Sequence, residues 1–321
     1  MFDTQIRIFG TAILTVSFSS CLALAQTVSP DPESASPDSW HSDSVTYVAG
    51  LGDLKQHTSG SLRITADNLV FSTHDAHEQI SLKQITSVSI GDERVATGGA
   101  AGKVGRKIPL YGIGFATGVV TSKKVDVLTI EYQDVQAGYH GAVFEVPKSQ
   151  AGIAQQQLAA FAASPHQDAD ALSCHEAATS NVLLIAPIDE SGLQLPAEYR
   201  VLLYEQLVTE LRKSYIGGTV VRVGDQAAGC PAETLHVSVS AFKKGNEKLR
   251  SATGPVGLFV GRTSVAFSVR LTDQAGAVVF EKSLKSNKHD DSDSLGVARS
   301  AAKSVSKRLT KAKASGFVAA A

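Results

Sequence analysis

The sequence predicts an α+β protein in two parts: an antiparallel β-sandwich or barrel with a C-terminal helix, then an α/β sandwich with a mixed sheet and two main helices. Two observations carry that expectation. Short runs with apolar residues at every second position recur between clusters of Gly, Asn and Asp, the pattern of half-buried strands joined by turns. Near residues 154 and 298 the apolar period lengthens to three or four, the spacing of a helix laid on a core.

Ahead of both parts, Arg7 precedes an uncharged apolar stretch from Ile8 to Leu24, and Ala23 and Ala25 stand before Gln26. A basic start, an apolar run and small residues at the exit are the pattern of a secretory signal, here residues 1–25. Pro30, Asp31 and Pro32 follow where a membrane anchor would carry a basic stop-transfer patch. The expected location is periplasmic or secreted, after cleavage near Ala25. Cys21 leaves a second possibility open, a lipid-modified cysteine, although Phe18-Ser19-Ser20 lacks the leucine such sites favour three residues before the cysteine. Residues 26–42 are rich in proline and serine and read as a disordered linker.

Hydrophobic residues make up 43% of the chain and charged ones 19%, a globular balance, and the formal net charge of −1 gives no global field to gather nucleic acid. With Cys21 set aside, Cys174 and Cys230 are an even pair in an oxidising compartment and are expected to form a disulfide, the alternative being two free buried thiols.

In the first part, 43–163, Leu62 and Ile64 alternate with polar neighbours, and Asp67-Asn68 turns the chain into Leu69-Val70-Phe71. A polar tip, His74 to His77, leads to Ile80-Leu82 and then Val88-Ile90. Leu128, Ile130 and Tyr132 alternate with Thr129, Glu131 and Gln133 as a half-buried strand, and Ala142, Phe144 and Val146 repeat the pattern beyond a turn holding Gly138 and Gly141. Ala154, Leu158 and Phe161 then form the stripe of a closing helix. The stretches Gly60 to Thr65, Leu69 to Phe71 and Ile80 to Leu82, with Ile85 and Val88, resemble the opening strands of pleckstrin-homology and GRAM-like domains. That resemblance implies a binding or interaction module, and fold alone names no ligand.

A polar break at 164–180 separates this from the second part, 181–314, and 315–321 is a tail. Val182 to Ala186 is continuously apolar, as a strand covered on both faces requires. Pro196 is placed to open a helix carrying Tyr204, Leu207, Val208, Leu211 and Tyr215, which stops at Gly217-Gly218. Strands follow at Val220-Val221, at Leu235, Val237, Val239 and Ala241, and at Val265, Phe267, Val269 and Leu271; Asp273 to Gly276 turns the last into Val278-Val279-Phe280. The final helix packs through Ala298, Ala301, Ala302, Val305 and Leu309. This order resembles the amino-terminal domain of TolB. Phe242 to Gly245, Arg250, Gly254, Gly257, Gly261, Leu271 to Asp273 and Gly276 resemble a domain of unknown function in exported bacterial proteins. The resemblance implies envelope residence and no catalytic residue.

The spacing of Ser, His, Asp, Glu and Cys forms no catalytic, cofactor or metal motif. His74 and His77, with Asp75 and Glu78, could face a divalent ion but sit in a turn tip, where polar residues are what water tolerates. Gly-Arg-Thr at 261–263 lacks the lysine of a phosphate loop. A hydrolase would need its Ser, His and Asp to meet in space without a nucleophile elbow. More distinctive is the apolar run 108–120 between basic shoulders. Lys103, Arg106, Lys107, Leu110, Tyr111, Ile113 and Phe115 are the candidates for a loop that touches a partner or an anionic membrane, the alternative being a hairpin folded on its own core. Arg299, Lys303, Lys307 and Lys311 form a basic row that the dipole of the last helix also explains. The sequence thus points to a non-catalytic exported binding or assembly protein with no cofactor, whose partner is an envelope protein or a membrane surface.

Overall fold

The described residues of the first half of the chain form one sheet of seven strands whose outer face is not left to solvent. The computed structural model describes residues 40–52, 54–96, 122–134, 138–162, 178–215, 218–225, 230–245, 263–287 and 295–314. Strands β1 (His41–Ala49), β2 (Thr58–Ile64), β3 (Asn68–Ser72), β4 (His77–Ser81), β5 (Ile85–Ala96), β6 (Ser122–Gln133) and β7 (Tyr139–Val146) form one antiparallel sheet in the order β4-β3-β2-β1-β7-β6-β5. Polar side chains set the tight turns. Thr65 Oγ1 donates to Asn68 O and accepts from Asn68 N–H between β2 and β3, while Thr73 Oγ1 accepts from the Asp75 and Ala76 N–H groups between β3 and β4.

One face of this sheet buries Val45, Tyr47, Leu62, Leu69, Phe71, Leu128, Ile130 and Phe144, and α1 (Gln150–Ala159) closes it with Ala151, Ala154 and Leu158. The rings of Tyr47, Phe71 and Phe144 meet at 5.5–6.2 Å between centroids, in tilted pairs. Trp40 also belongs to this core and β1 opens at His41, so the stretch expected to be disordered linker, 26–42, is folded at its last three residues. Phe161 does not complete the helical stripe. The helix ends at Ala159, the Phe161 N–H donates to Leu158 O in the turn that follows, and the ring is 42% exposed.

The second sheet contains β8 (Ala178–Ile185), β9 (Thr219–Arg222), β10 (Cys230–Lys243), β11 (Ser264–Asp273) and β12 (Val278–Asn287) in the order β12-β11-β10-β8-β9. Strand β8 runs parallel to both β9 and β10, and the other pairs are antiparallel, so the sheet is mixed as predicted. Strand β8 does bury both faces: Leu183 and Ile185 enter the main core, while Val182 and Leu184 pack with Val221 behind it. In β10 the expected alternation breaks at its end. A bulge between Val239 and Ala241 shifts the register, which leaves Ala241 exposed and turns Phe242 toward the core.

Helices α2 (Ala197–Ser214) and α3 (Gly296–Ala314) cover this sheet. Pro196 stands immediately before α2, as expected; Tyr215 lies just beyond its end, half-buried, with its N–H donating to Leu211 O. Helix α3 buries Ala298, Ala301, Ala302, Val305 and Leu309, the stripe read from the sequence.

Helix α2 does more than roof its own sheet. Eleven of its 18 residues are buried, because its other side lies on β1, β5, β6 and β7 of the first sheet. Two strand glycines make room for it. A Cβ on Gly141 would lie 2.3 Å from Val201 Cγ1, and one on Gly91 would lie 2.6 Å from Glu198 Oε1. Gly141 thus sits inside β7, not in the turn where the sequence suggested it. The side of β6 expected to face water is covered: Thr129 and Glu131 are only 1% and 2% exposed. Val48, Ala49, Val127 and Val143 join Leu183, Tyr204 and Phe267 in one continuous core, and residues 39–321 form one compact unit.

Candidate functional site

Where α2 crosses the first sheet, buried charges hold the two layers together. Arg200 on α2 bridges Glu131 of β6 at 2.6 Å and also pairs with Glu190. Tyr139 Oη donates to the second Glu131 oxygen at 2.6 Å. At the start of the helix, Tyr199 Oη donates to Glu93 of β5 at 2.9 Å, and Lys244 from the end of β10 pairs with the same carboxylate at 2.7 Å. Burial pushes the Glu198 carboxyl above its ordinary range; the neighbouring Glu93 adds to the rise and Lys244 opposes it.

Toward the other end of α2 the layers part into a cleft of about 850 Å³. One wall is the loop between β1 and β2, held by Tyr47, whose hydroxyl accepts from the Leu51 N–H at 2.8 Å and donates to Leu51 O at 3.1 Å. Burial pushes the pKa of that hydroxyl up to about 12, so it stays protonated. The other wall is the last turns of α2 with the end of β9. Lys55 and Arg299 line the first side, and Arg212, Lys213 and Arg222 the second. Arg299 is turned from the basic row of α3 toward this loop, with Nη2 donating to Gln56 Oε1.

The floor is a buried ion pair. Arg222 donates through Nη2 to Glu205, which also accepts from the Gly141 N–H at 3.2 Å. Burial raises the Glu205 carboxyl, and Arg222 and the Gly141 N–H oppose the rise. Arg222 Nε is itself buried with no hydrogen-bond partner.

Beside the floor, Asp134, His140 and Asp225 bring ligand atoms within 4.8 Å of one another. His140 Nε2 lies 3.3 Å from Asp134 and 4.0 Å from Asp225, and its ring stacks on Tyr132 at 5.3 Å. Burial and then Arg222 lower the His140 pKa, with Asp134 and Asp225 opposing. This trio could offer three ligand atoms to a divalent ion. Its carboxylates are already engaged, however: Gly138 N–H donates to Asp134, and the Arg222 N–H and Arg212 Nη2 donate to Asp225. Two guanidinium groups so close disfavour a further cation.

The residues singled out from the sequence lie elsewhere. His74 and His77 are exposed, with local partners Asp75 and Ser72. Cys230 opens β10, buried and disulfide-bonded, while Cys174 lies outside the described residues. Lys103, Arg106, Lys107, Leu110, Tyr111, Ile113 and Phe115 also lie outside them; β5 and β6 pair as far as Ala96 and Ser122, on either side of that segment in sequence. Near the β8–α2 connection, Asp189 accepts from the Ser191 and Ser238 hydroxyls. Those bonds hold its pKa below the ordinary carboxylate range, the opposite of what a general base needs. His236, two residues from Ser238, instead meets Thr272 at 3.4 Å.

No family model and no curated protein matches the chain. Among solved structures it is similar to two crystal forms of the PelC dodecamer from Paraburkholderia phytofirmans, at 20% and 18% identity over 42% of this chain and 92% and 91% of those chains, with TM-scores of 0.30 and 0.28. A DUF330 protein from Xanthomonas campestris is similar at 13% identity over 43% of this chain and 89% of its own, with a TM-score of 0.28. Likenesses at this level assign neither family nor function.

Proposed function

We propose that this chain is a non-catalytic, exported envelope protein that works as a binding or assembly module, with the cleft between its two sheets as the binding site. The observation that carries the reading is the cleft itself. It is about 850 Å³, within the range of ligand pockets, and its walls come from both halves of the chain. Its polar groups are arranged as fixed donors and ion pairs, and among the described lining residues no nucleophile stands beside a base. Export rests on the uncharged apolar run before Ala25. The sheet of seven antiparallel strands followed by one helix supports a pleckstrin-homology-like first half. The order strand, helix, four strands, helix supports a TolB-amino-terminal-like second half.

The test is a photoreactive residue placed at Thr209, which lines the cleft, in cells that export the protein. Capture of the same envelope component in repeated preparations, absent when the photoreactive group stands at exposed Lys307, is the expected result. Lack of capture from Thr209, or hydrolysis of a cell-wall or ester substrate abolished by one Ser, His or Asp substitution, would overturn the proposal.

A further inference from the structure

The cleft is chemically one-sided. Among its described lining residues, five cationic side chains (Lys55, Arg212, Lys213, Arg222 and Arg299) stand against two carboxylates, Glu205 and Asp225. Both carboxylates are already engaged, Glu205 by Arg222 and Asp225 by Arg212, the Arg222 N–H and His140. The cations are not used up in the same way. Arg222, only 9% exposed at its side chain, finds a hydrogen-bond partner through Nη2 and leaves Nε buried with none. That buried cation adds to the positive field at the cleft floor. Arg212 is about half-exposed, and its bond to Asp225 is long, at 3.4 Å. Lys213, exposed, reaches Glu210 one helical turn back only at 4.0 Å.

Resting on the reading of this cleft as a binding site, we infer that it takes an anionic ligand carrying at least two oxyanion groups, carboxylate or phosphate. One would meet Arg212, Lys213 and Arg222 on the α2 side, and another Lys55 and Arg299 across the gap. Guanidinium groups fit the planar and tetrahedral oxyanions through paired N–H donors, and lysines add point charge at the rim. The imbalance of charge also argues against a divalent cation as the principal occupant.

The experiment is calorimetric titration of the purified full chain with tripolyphosphate, with citrate and with the neutral sugar maltotriose, at about 10 mM salt, where the Debye length is about 30 Å. At least one anion binds, and maltotriose does not. Affinity falls about five-fold or more in Lys55→Gln/Lys213→Gln, two rim changes that leave the core untouched, and falls again at about 150 mM salt. Lys303→Gln/Lys307→Gln, on the exposed side of α3, leaves it unchanged. Binding of tripolyphosphate alone assigns a phosphate ligand, of citrate alone a carboxylate, and of both a general oxyanion site. The inference is overturned if neither anion binds, if maltotriose binds as well, or if the α3 variant weakens binding as much as the rim variant. Capture from Thr209 without anion binding would sink this inference and leave the binding module standing. Specific anion binding without capture would keep the cleft as a ligand site and sink the reading that it holds an envelope component.

Discussion

Gly141 of β7 and Val201 of α2 are in contact so close that a Cβ at position 141 would lie 2.3 Å from Val201 Cγ1. The absence of a side chain on one layer is therefore matched to a branched side chain on the other. Gly141→Ala is expected to destabilise the protein by about 1–3 kcal/mol, the usual range for overpacking a tight core. Adding Val201→Ala should return part of that loss although it removes buried apolar volume. Denaturant unfolding of the two single variants and the double variant checks this; simple additivity would mean that the two positions do not press on each other.

The floor pair makes a second prediction. Arg222→Met leaves Glu205 in the core without its cation and is expected to cost about 3–5 kcal/mol. Arg222→Met/Glu205→Leu should be far milder, because no uncompensated charge remains. Thermal unfolding measures both; equal destabilisation by the single and the double change would show that the carboxylate is not the source of the cost.

Acidity should act through Glu198. Its pKa is raised in the folded state, so the native protein takes up a proton before the unfolded chain does. The resulting stabilisation is complete below the unfolded value and is lost as pH rises through the folded one. The advantage of Glu198→Gln over the parent is therefore expected to be larger at about pH 7.5 than at about pH 4.5. Melting temperatures of the two proteins at both pH values decide it, and an advantage that grew on acidification would contradict the assignment.

Cys230 is disulfide-bonded, and Cys174 is its expected partner. Proteolysis of oxidised protein should release one linked peptide containing both residues. Reduction should lower stability by an amount bounded near 4 kcal/mol for a loop of about 57 residues. Full labelling of both cysteines by a thiol reagent in native, unreduced protein would rule the bridge out.

The strands of the first sheet were legible because their core faces alternate cleanly: Leu62 and Ile64, Leu69 and Phe71, Leu128 and Ile130 are all buried as the pattern requires. The opposite face was not legible. Thr129 and Glu131 carry the polar signature of a solvated surface, and only a helix encoded well downstream makes them interior. The cleft escaped for the same reason. Lys55, Arg222 and Arg299 are far apart in sequence and meet only through the stacking of layers. A signal was nevertheless present: α2 carries Glu198, Arg200 and Glu205 among Tyr199, Val201 and Tyr204, a helix with no clean polar side. Strand glycines at 91 and 141 are the other mark of a close neighbour.

The burial of α2 also bears on the order of events during synthesis. The first sheet is complete at Val146, yet the helix that covers Val48, Val127 and Val143 begins at Ala197, about fifty residues later. Until that helix arrives, Val48, Val127 and Val143 stand open among the polar groups of that face. Such a surface is adhesive, and it is what a holding chaperone would grip on the nascent chain. A fragment ending at residue 163 is expected to leave that face open and to self-associate more than the full chain.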